Sequence, residues 1–415
     1  MGFLYCLLSP ISTVAIDMEY TKAFTAFARP GDSTGLEYWS TPDIHSLPLP
    51  YKTAVTAKLS RQAIADYTRT LVVLGTHRVP TIDTTLNTYQ PMEYKKSSAI
   101  VLSGDVYNYK ELGDSTDPVN DTVSLVEYLA NANNKNLPDI LCRIRGEFSF
   151  VYVTGLDSFE RKPTVLAVRD TIGTRPLYVL SRRDTTLVLS NPAAIPLKAR
   201  GMWSVTEIPA GHYYFNGVIS KYTNNCDAKH TTVPWSNTEQ LYTAIANLLE
   251  TQVTRVYSHF AVPVGILVSG FCSLTIACLL AKNGHAVTAF TLSTNNEIKI
   301  PNVPNIDHVV VHSDKWETLW DCASKNTSTK VFLSGTGLSS LFAGTPVPTL
   351  AFQQFQECGV RFPYCDPVIS EFFNTVPASL KRPTVFQSGG PALDMYIIRQ
   401  AMVYCGAMDA STAQQ

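Results

Sequence analysis

The first half of the chain is a succession of short apolar runs separated by glycine, proline, asparagine and aspartate. Such runs are typical of antiparallel β-strands, and the pattern continues to about residue 222. Two helical segments interrupt it, near residues 59–69 and 121–132. The clearest strand patterns lie at residues 71–75, 98–104, 148–153, 164–168 and 187–190. We therefore expect a first domain built mainly from antiparallel sheets.

A polar segment without periodicity follows the strands, and we interpret residues 223–237 as a linker between domains 1–222 and 238–415. Directly after it, Ser236 and Glu239 predict a capping box that starts a helix. From there, apolar strands alternate with helical segments. This order is typical of a parallel sheet with helices on its faces, so the expected fold class is an α/β protein of two domains.

Two serine-glycine turns follow strands of the second domain. SGFCSL occupies residues 269–274, and SGTGLSS occupies residues 334–340. In parallel sheets ligands bind beyond the carboxyl ends of the strands, which is where both turns are expected to lie. Phosphate loops favour glycine, acidic and hydroxyl groups, but the first turn carries Phe271 and Leu274. A dinucleotide loop is not predicted either, because Ser340 takes the place of its third glycine.

Composition narrows the possible functions. Charged residues make up 16% of the chain and the formal net charge is -1, so no basic field favours nucleic acid or an anionic membrane. With so few charges, the surface either relies on uncharged polar groups and tyrosine or is partly covered by protein partners. Nine cysteines without a CxxC pair predict neither a zinc site nor a disulfide framework, and indicate reduced thiols in the cytoplasm or an organelle matrix.

The N-terminal sequence is apolar but lacks the charged segment of a signal peptide, so no clear signal peptide is predicted. Gly2 leaves N-myristoylation open, although Cys6 stands where the motif has serine or threonine. No apolar run approaches the roughly 20 residues of a transmembrane helix. We expect an intracellular protein without a membrane span.

Several motifs occur in one order along the chain: QPM at 90–92, GDVYNYKEL at 104–112, RGEFSFVYV at 145–153, RDTIGTRPLY at 169–178, the two serine-glycine turns, and RFPYCD at 361–366. In order and spacing the chain resembles the asparagine synthetase family, including its smaller asparagine-synthetase-domain relatives. The resemblance covers nearly the whole chain. It implies an N-terminal class II glutamine amidotransferase domain, an Ntn-type αββα sandwich of antiparallel sheets. It also implies a C-terminal parallel-sheet domain of the ATP-pyrophosphatase (adenine nucleotide alpha-hydrolase-like) type.

Enzymes of this family hydrolyse glutamine in the first domain and use the ammonia in the second. The resemblance implies that hydrolysis needs a cysteine at the mature N-terminus, whose thiol attacks the amide while its α-amine acts as base. Gly2 stands in that place here, so no catalytic residue is assigned. Cys6 is expected to be a small buried side chain. Trimming of the chain to expose Cys6 is the route by which an active enzyme would arise.

Glutamine-holding positions are better preserved. By resemblance, Arg78 matches the arginine that pairs with the glutamine carboxylate, and Asp121 matches the acid that receives its α-amine. Ser103, Gly104 and Asp105 correspond to the asparagine, glycine and glutamate of the oxyanion segment. These five residues are the candidate glutamine-binding residues. The other interpretation of Arg78 and Asp121, as ordinary surface or helix-cap charges, remains open.

The nucleotide-binding positions are degenerate. The family loop SGGxDS supplies backbone amides, an acid and a hydroxyl, but here Phe271, Ser273 and Leu274 replace its second glycine, acid and last serine. In the second turn Thr336, Ser339 and Ser340 replace all three acids, and a helical lysine that contacts pyrophosphate is replaced by Met395. Hence no metal ligands are predicted. The remaining positions of the degenerate site are Ser269, Gly270, Ser273, Ser334, Gly335 and Gly337.

The leading hypothesis is an asparagine-synthetase-like pseudoenzyme that has lost both half-reactions and serves as a structural or interaction subunit of a larger complex. It predicts other protein subunits as partners and no cofactor. One alternative is an active glutamine-dependent asparagine synthetase or related amidotransferase, which would need ATP and Mg²⁺. A second alternative is a regulator that binds glutamine without turnover.

Overall fold

A computed structural model gives the fold of the chain. It divides into two compact units, Met1–Cys226 and Asp227–Gln415, and the boundary falls within the segment interpreted as a linker. The structure describes residues 3–10, 33–40, 70–78, 90–112, 120–132, 137–157, 162–191, 201–222, 235, 237–292, 298, 300, 305–313, 318, 322–323, 325, 329, 331–347, 359–381 and 395–414. The helix predicted near residues 59–69 lies outside these ranges.

Two antiparallel sheets form the first unit, as the strand pattern predicts. Its strands are β1 (Phe3–Pro10), β2 (Ser33–Ser40), β3 (Thr70–Arg78), β4 (Met92–Tyr94), β5 (Ser98–Val106), β6 (Gly146–Thr154), β7 (Thr164–Arg169), β8 (Tyr178–Arg182), β9 (Thr185–Leu189), β10 (Ser204–Glu207), β11 (His212–Phe215) and β12 (Val218–Lys221). The first sheet has the order β10-β8-β9-β1-β3-β2, and the second has the order β12-β11-β7-β6-β5-β4.

The two sheets pack face to face because successive side chains of each strand point to opposite faces of its sheet, and one face is apolar. Over most of their length, β1, β3, β5, β6 and β7 carry an apolar residue at every second position, and these residues join one buried cluster, to which Cys6, Leu74, Val101 and Val151 belong. The intervening residues of the second sheet, such as Phe150, turn to the opposite face. There they meet the helices α1 (Tyr109–Leu112), α2 (Asp121–Asn131) and α3 (Leu137–Leu141). The described part of this unit is therefore a sheet, a second sheet and a helical layer.

One loop carries the chain from the second sheet to the first. It leaves β7 at Arg169 and enters β8 at Tyr178. Asp170 is 1% exposed and organises this loop. Its Oδ1 accepts hydrogen bonds from three backbone N–H groups, and its Oδ2 accepts from the Thr174 hydroxyl at 2.7 Å and from the Arg175 N–H. The carboxylate thus satisfies donors that the tight crossing would otherwise leave buried without partners.

Two buried arginines at the crossing loop contact carboxylates in both sheets. Arg169 donates to Glu207 on β10 at 2.6 Å and to the carbonyl oxygens of Ile208 and Gly173. Arg175 is fully buried, and its Nη2 lies 3.2 Å from Oε2 of the fully buried Glu147 on β6. Because a buried charge is tolerated only when it is paired, each arginine fixes the position of its carboxylate.

A parallel sheet forms the second unit, which confirms the alternation seen in the sequence. Its strands are β13 (Val264–Val268), β14 (Val287–Leu292), β15 (Ile306–Val311), β16 (Val331–Ser334) and β17 (Val360–Arg361), in the order β15-β14-β13-β16-β17. Its helices are α4 (Thr238–Ser258), α5 (Phe271–Lys282), α6 (Leu338–Ala343), α7 (Pro367–Thr375), α8 (Ala378–Lys381) and α9 (Tyr396–Tyr404). Among the described helices, none is long and apolar enough to cross a membrane.

The first helix of this unit corrects one prediction. We predicted a capping box formed by Ser236 and Glu239, but the N-cap of α4 is Asn237, whose Oδ1 accepts from the Glu239 N–H at 2.8 Å. Asparagine and serine are comparable N-cap residues, so neighbouring positions in this segment carried competing signals.

We expect Asp170→Ala to lower the free energy of unfolding of the first unit by about 3 kcal/mol, because several buried donors lose their acceptor together. Calorimetric unfolding of the variant and the wild type measures this. Asp157→Ala is the matched control, since Asp157 is exposed in a turn and should change stability little. Equal stability losses in the two variants would contradict the role given to Asp170.

Candidate functional site

A group of polar residues continues the inward faces of the strands in the first unit. Beyond Val72 and Leu74, the next inward position of β3 is Thr76. On β5 and β6 the corresponding positions are Ser103 and Ser149, which are paired across the two strands. All three are at least 98% buried. The space between the sheets is therefore apolar along most of its length and polar at one end, which we call the polar end.

Strand pairing brings these residues to the same end of the sandwich. The crossing loop joins Arg169, which pairs with Ser149 in the second sheet, to Tyr178 in the first. From Tyr178, adjacent pairs lead across the first sheet through β9 and β1 to β3 near Thr76. Strands β3 and β5 also contact each other. Thr76 thus lies over the end of the second sheet that carries Ser103 and Ser149.

Two acids from the predicted set meet beside the polar end. Asp105 and Asp121 are 3% and 5% exposed, and their carboxylate oxygens lie within 4.8 Å of each other. Asp121 is the first residue of α2, and its Oδ2 accepts from the Val106 N–H at 3.1 Å. The N-cap of α2 is Asn120, so Asp121 is not the cap. Two buried acids this close create a region that favours a cation such as an α-amine.

Gln90 of the QPM motif ties the helix to the strand below it. Its Nε2 donates to the Thr122 hydroxyl at 3.0 Å, and its Oε1 accepts from the Leu102 N–H at 2.7 Å. The Thr122 hydroxyl in turn donates to Asp121 at 3.3 Å. This chain of bonds holds α2 against β5 and so holds Asp121 beside Asp105.

Gly104 is required by the close approach of β5 and β6. Its φ is +101°, and a Cβ at this position would overlap with the Glu147 carbonyl oxygen. A residue with a side chain would push the strands apart between Ser103 and Asp105. The glycine therefore serves the backbone, which keeps its neighbours at the polar end.

Of Arg78, the last member of the predicted set, the structure describes only the backbone. Arg78 ends β3, where it pairs with Ser33, and its backbone lies two residues beyond Thr76. Its side chain is outside the described part of the chain. Sequence reasoning missed Thr76 and Ser149, although the signal was present, because both interrupt an apolar alternation with a hydroxyl residue.

Cys6 lies away from the polar end. It is fully buried in the apolar cluster between the sheets, on β1 opposite Leu74 and Val188. Burial raises the pKa of its thiol far above the usual range. The other described cysteine of this unit, Cys142, donates to the Tyr222 carbonyl oxygen at 2.7 Å and lies by the helical layer. The described residues thus bring no thiol to the polar end.

In the second unit, the first serine-glycine turn is shorter than the sequence suggested. Only Ser269 and Gly270 form it, because α5 begins at Phe271. The Ser273 hydroxyl accepts from the Ser269 N–H at 2.9 Å and donates to the Gly270 carbonyl oxygen at 3.0 Å. Ser273, which replaces the acid of the family loop, therefore closes the turn on itself.

Residues of the C-terminal helix cover the start of α5. The guanidinium carbon of Arg399 lies 4.0 Å from the centre of the Phe271 ring, which is 5% exposed. Met395, at the lysine position, has its sulfur 3.8 Å from the Cys272 thiol. Beside them, burial and the nearby Cys272 and Cys278 thiols raise the pKa of Tyr364 well above its usual value. These contacts form an aromatic and sulfur-rich cluster.

The second turn packs against the first. β16 lies beside β13, so both turns leave the same edge of the sheet. A Cβ on Gly335 would overlap with the Ser273 nitrogen, and one on Gly337 would lie 2.6 Å from the Cys365 sulfur. The Ser334 hydroxyl bonds to Thr336 at 2.9 Å. The two predicted turns are thus brought together, and their hydroxyls bond to the turns themselves.

Comparison with known proteins gives one family match, which begins in the first unit and ends in the first helix of the second. The profile described as a glutamine amidotransferase domain matches residues 62–255. No curated protein matches the chain. The family match, which covers somewhat less than half of the chain, supports a glutamine amidotransferase domain, in agreement with the paired antiparallel sheets.

Two solved structures are similar to the chain at low identity. A glutamine phosphoribosylpyrophosphate (PRPP) amidotransferase from B. subtilis, complexed with ADP and GMP, is 12% identical over 87% of this chain and 81% of its own, with a TM-score of 0.39. A structure titled the allosteric regulatory enzyme of purine biosynthesis is 13% identical over 87% and 80%, with the same TM-score of 0.39. At this level they carry no argument about function.

We expect iodoacetamide to leave Cys6 unmodified in the native protein at pH 8. The thiolate is the reactive form, and a raised pKa keeps the Cys6 thiol protonated at this pH. Mass spectrometry of the tryptic peptides measures the modification, with the half-exposed Cys405 as internal control. Labelling of Cys6 as fast as Cys405 would contradict its place in the core.

Proposed function

We propose that this protein is a non-catalytic relative of asparagine synthetases that binds glutamine without hydrolysing it. In this proposal both half-reactions of the family are lost, while the amino-acid site of the amidotransferase domain is kept. The observation that carries it is a contrast within the first unit. The buried acids Asp105 and Asp121 lie together beside the polar end, whereas Cys6, the thiol that trimming would expose, lies in the apolar core.

The alternative of an active amidotransferase requires Cys6 to become the N-terminal residue. Trimming to that point would remove Leu4 and Tyr5, which are each 1% exposed and paired with β3. It would also remove the bond from the Leu4 N–H to the Ser190 hydroxyl. Because the new terminus would lie inside a core strand, its charged amine would be costly to bury. These contacts favour the non-catalytic proposal.

The second unit supports the loss of ATP-dependent chemistry. Mg²⁺ prefers carboxylate and phosphate oxygens, and the two turns at the edge of the sheet offer hydroxyl groups instead. The Ser273 hydroxyl already bonds to both sides of its own turn, and Met395 replaces the cationic contact with a thioether. We propose that this unit is kept as a scaffold.

We further propose that the partners are other protein subunits, so that glutamine binding acts within a larger assembly. Three exposed apolar side chains at or beside the edge strands β10 and β12 support this: Met202, Val205 and Val218. Native mass spectrometry of the protein isolated from its own cells tests the assembly. Recovery of this chain alone, without other subunits, would contradict the proposed assembly.

We expect glutamine to bind with micromolar to millimolar affinity and to remain intact. Titration calorimetry measures the binding, and a coupled glutamate assay measures hydrolysis against a heat-killed control. Asp121→Asn should weaken binding about tenfold or more, because it removes a charge-assisted contact while keeping an oxygen for the Val106 N–H. Asp157→Asn, in an exposed turn, is the control. Glutamate release above the control, or no heat at millimolar glutamine, would contradict the proposal.

We expect ATP with Mg²⁺ at millimolar concentration to leave the melting temperature of the protein unchanged. A ligand at free concentration L that binds only the folded state stabilises it by RT ln(1 + L/Kd), so the absence of a shift means that Kd lies well above the ligand concentration used. Differential scanning fluorimetry with and without Mg²⁺ measures it. An increase in the melting temperature that depends on Mg²⁺ would favour the active-ligase alternative.

A further inference from the structure

Two buried hydroxyl groups at the polar end have no hydrogen-bond partner among the described residues. They are the hydroxyls of Thr76 and Ser149, whose residues are 1% and 0% exposed. About 90% or more of buried polar groups in folded proteins are bonded, so each exception requires an explanation. Two exceptions at one end of one inter-sheet space share a single explanation if a ligand supplies the partners.

On both strands, the inward positions on the core side of these residues are apolar. Thr76 follows Val72 and Leu74, and Ser149 precedes Val151 and Val153. An apolar side chain at either position would have continued the core at no desolvation cost. Groups that lower stability in this way are typical of binding sites, where a ligand supplies the missing interaction.

The size of the side chains also distinguishes this end. Serine at positions 103 and 149 is smaller than the valines at the next inward positions, 101 and 151. Facing sheets pack about 10 Å apart, so small side chains leave the space between them less filled. The polar end therefore differs from the core both in polarity and in the volume that its side chains occupy.

The surrounding charges restrict which ligand group can bind to these hydroxyls. Glu147, two residues before Ser149 on β6, is fully buried and paired with Arg175. Asp105, the cross-strand partner of Glu147 on β5, lies on the same side of the serine pair, with Asp121 close to it. A ligand carboxylate placed among these acids would be repelled, whereas an uncharged carboxamide would not. A hydroxyl can donate to the amide oxygen and accept from the amide nitrogen.

We propose that Thr76 and Ser149 receive the side-chain carboxamide of the bound amino acid, and that the acids beside them make the site prefer glutamine over glutamate. This rests on the glutamine-binding function proposed above and adds the residues that distinguish an amide from an acid. The α-amine then faces Asp105 and Asp121, and the uncharged end of the ligand enters the space between the sheets.

The first experiment measures the stability of the unliganded protein. Ser149→Ala and Thr76→Val remove hydroxyls without partners, so the melting temperature should stay the same or rise. Matched controls remove buried hydroxyls that have partners: Ser124→Ala, whose hydroxyl donates to the Asn120 carbonyl oxygen, and Thr174→Val, whose hydroxyl donates to Asp170. Both controls should lower the melting temperature by about 2 °C or more.

The second experiment measures binding by titration calorimetry with glutamine, glutamate and norleucine. The wild type should bind glutamine about tenfold or more tightly than either of the others. Ser149→Ala and Thr76→Val should lose about tenfold of glutamine affinity and most of the discrimination against norleucine. The Ser124→Ala control should bind as the wild type does.

The outcomes separate the two proposals. If the wild type does not bind glutamine, the proposed function fails and this inference fails with it. If the wild type binds glutamine and the two variants bind it equally well, only the inference is overturned. It is also overturned if Ser149→Ala and Thr76→Val lower the melting temperature as much as the controls do, since their hydroxyls would then have structural partners.

Discussion

The crossing between the sheets, held by Asp170 and by the pair of Glu147 and Arg175, is the constraint on which the rest of the first unit depends. It joins the second sheet to the first at one end and satisfies the buried backbone donors of the loop. Because both charges of the pair are fully buried, either one alone would be strongly unfavourable. The crossing therefore fixes which strand ends face each other and creates a buried polar region beside an apolar core.

Under the proposed glutamine binding, that polar region gives binding and stability opposite requirements in this domain. The core gains free energy from each apolar residue that alternates inward, whereas Thr76 and Ser149 forgo that gain and leave hydroxyls without partners among the described residues. The surrounding network compensates, because Gln90 and Thr122 hold α2 and its acid against β5. A rigid frame around a locally unsatisfied site is the arrangement expected when a ligand completes the structure.

In the second unit, close packing explains the glycines of the second serine-glycine turn. Gly335 and Gly337 remain necessary, since side chains there would collide with the neighbouring turn or with Cys365. Side chains at the start of α5 bond within the first turn or pack against Met395 and α9. The glycines of the second turn are therefore explained by packing alone, whether or not a nucleotide binds.

The sequence by itself determined the antiparallel and parallel sheets and the two adjacent serine-glycine turns, because side-chain alternation and turn residues are local signals. It also identified Asp105 and Asp121 as candidates. It misplaced the cap of α4 by one residue, since Ser236 and Asn237 carry equivalent signals. The expectation that Cys6 is a small buried side chain is confirmed. Only the tertiary structure stacked Arg399 on Phe271 and brought Thr76 to the end of the sandwich that carries Ser149. These depend on which strands become neighbours and how two sheets face each other, which no local pattern specifies.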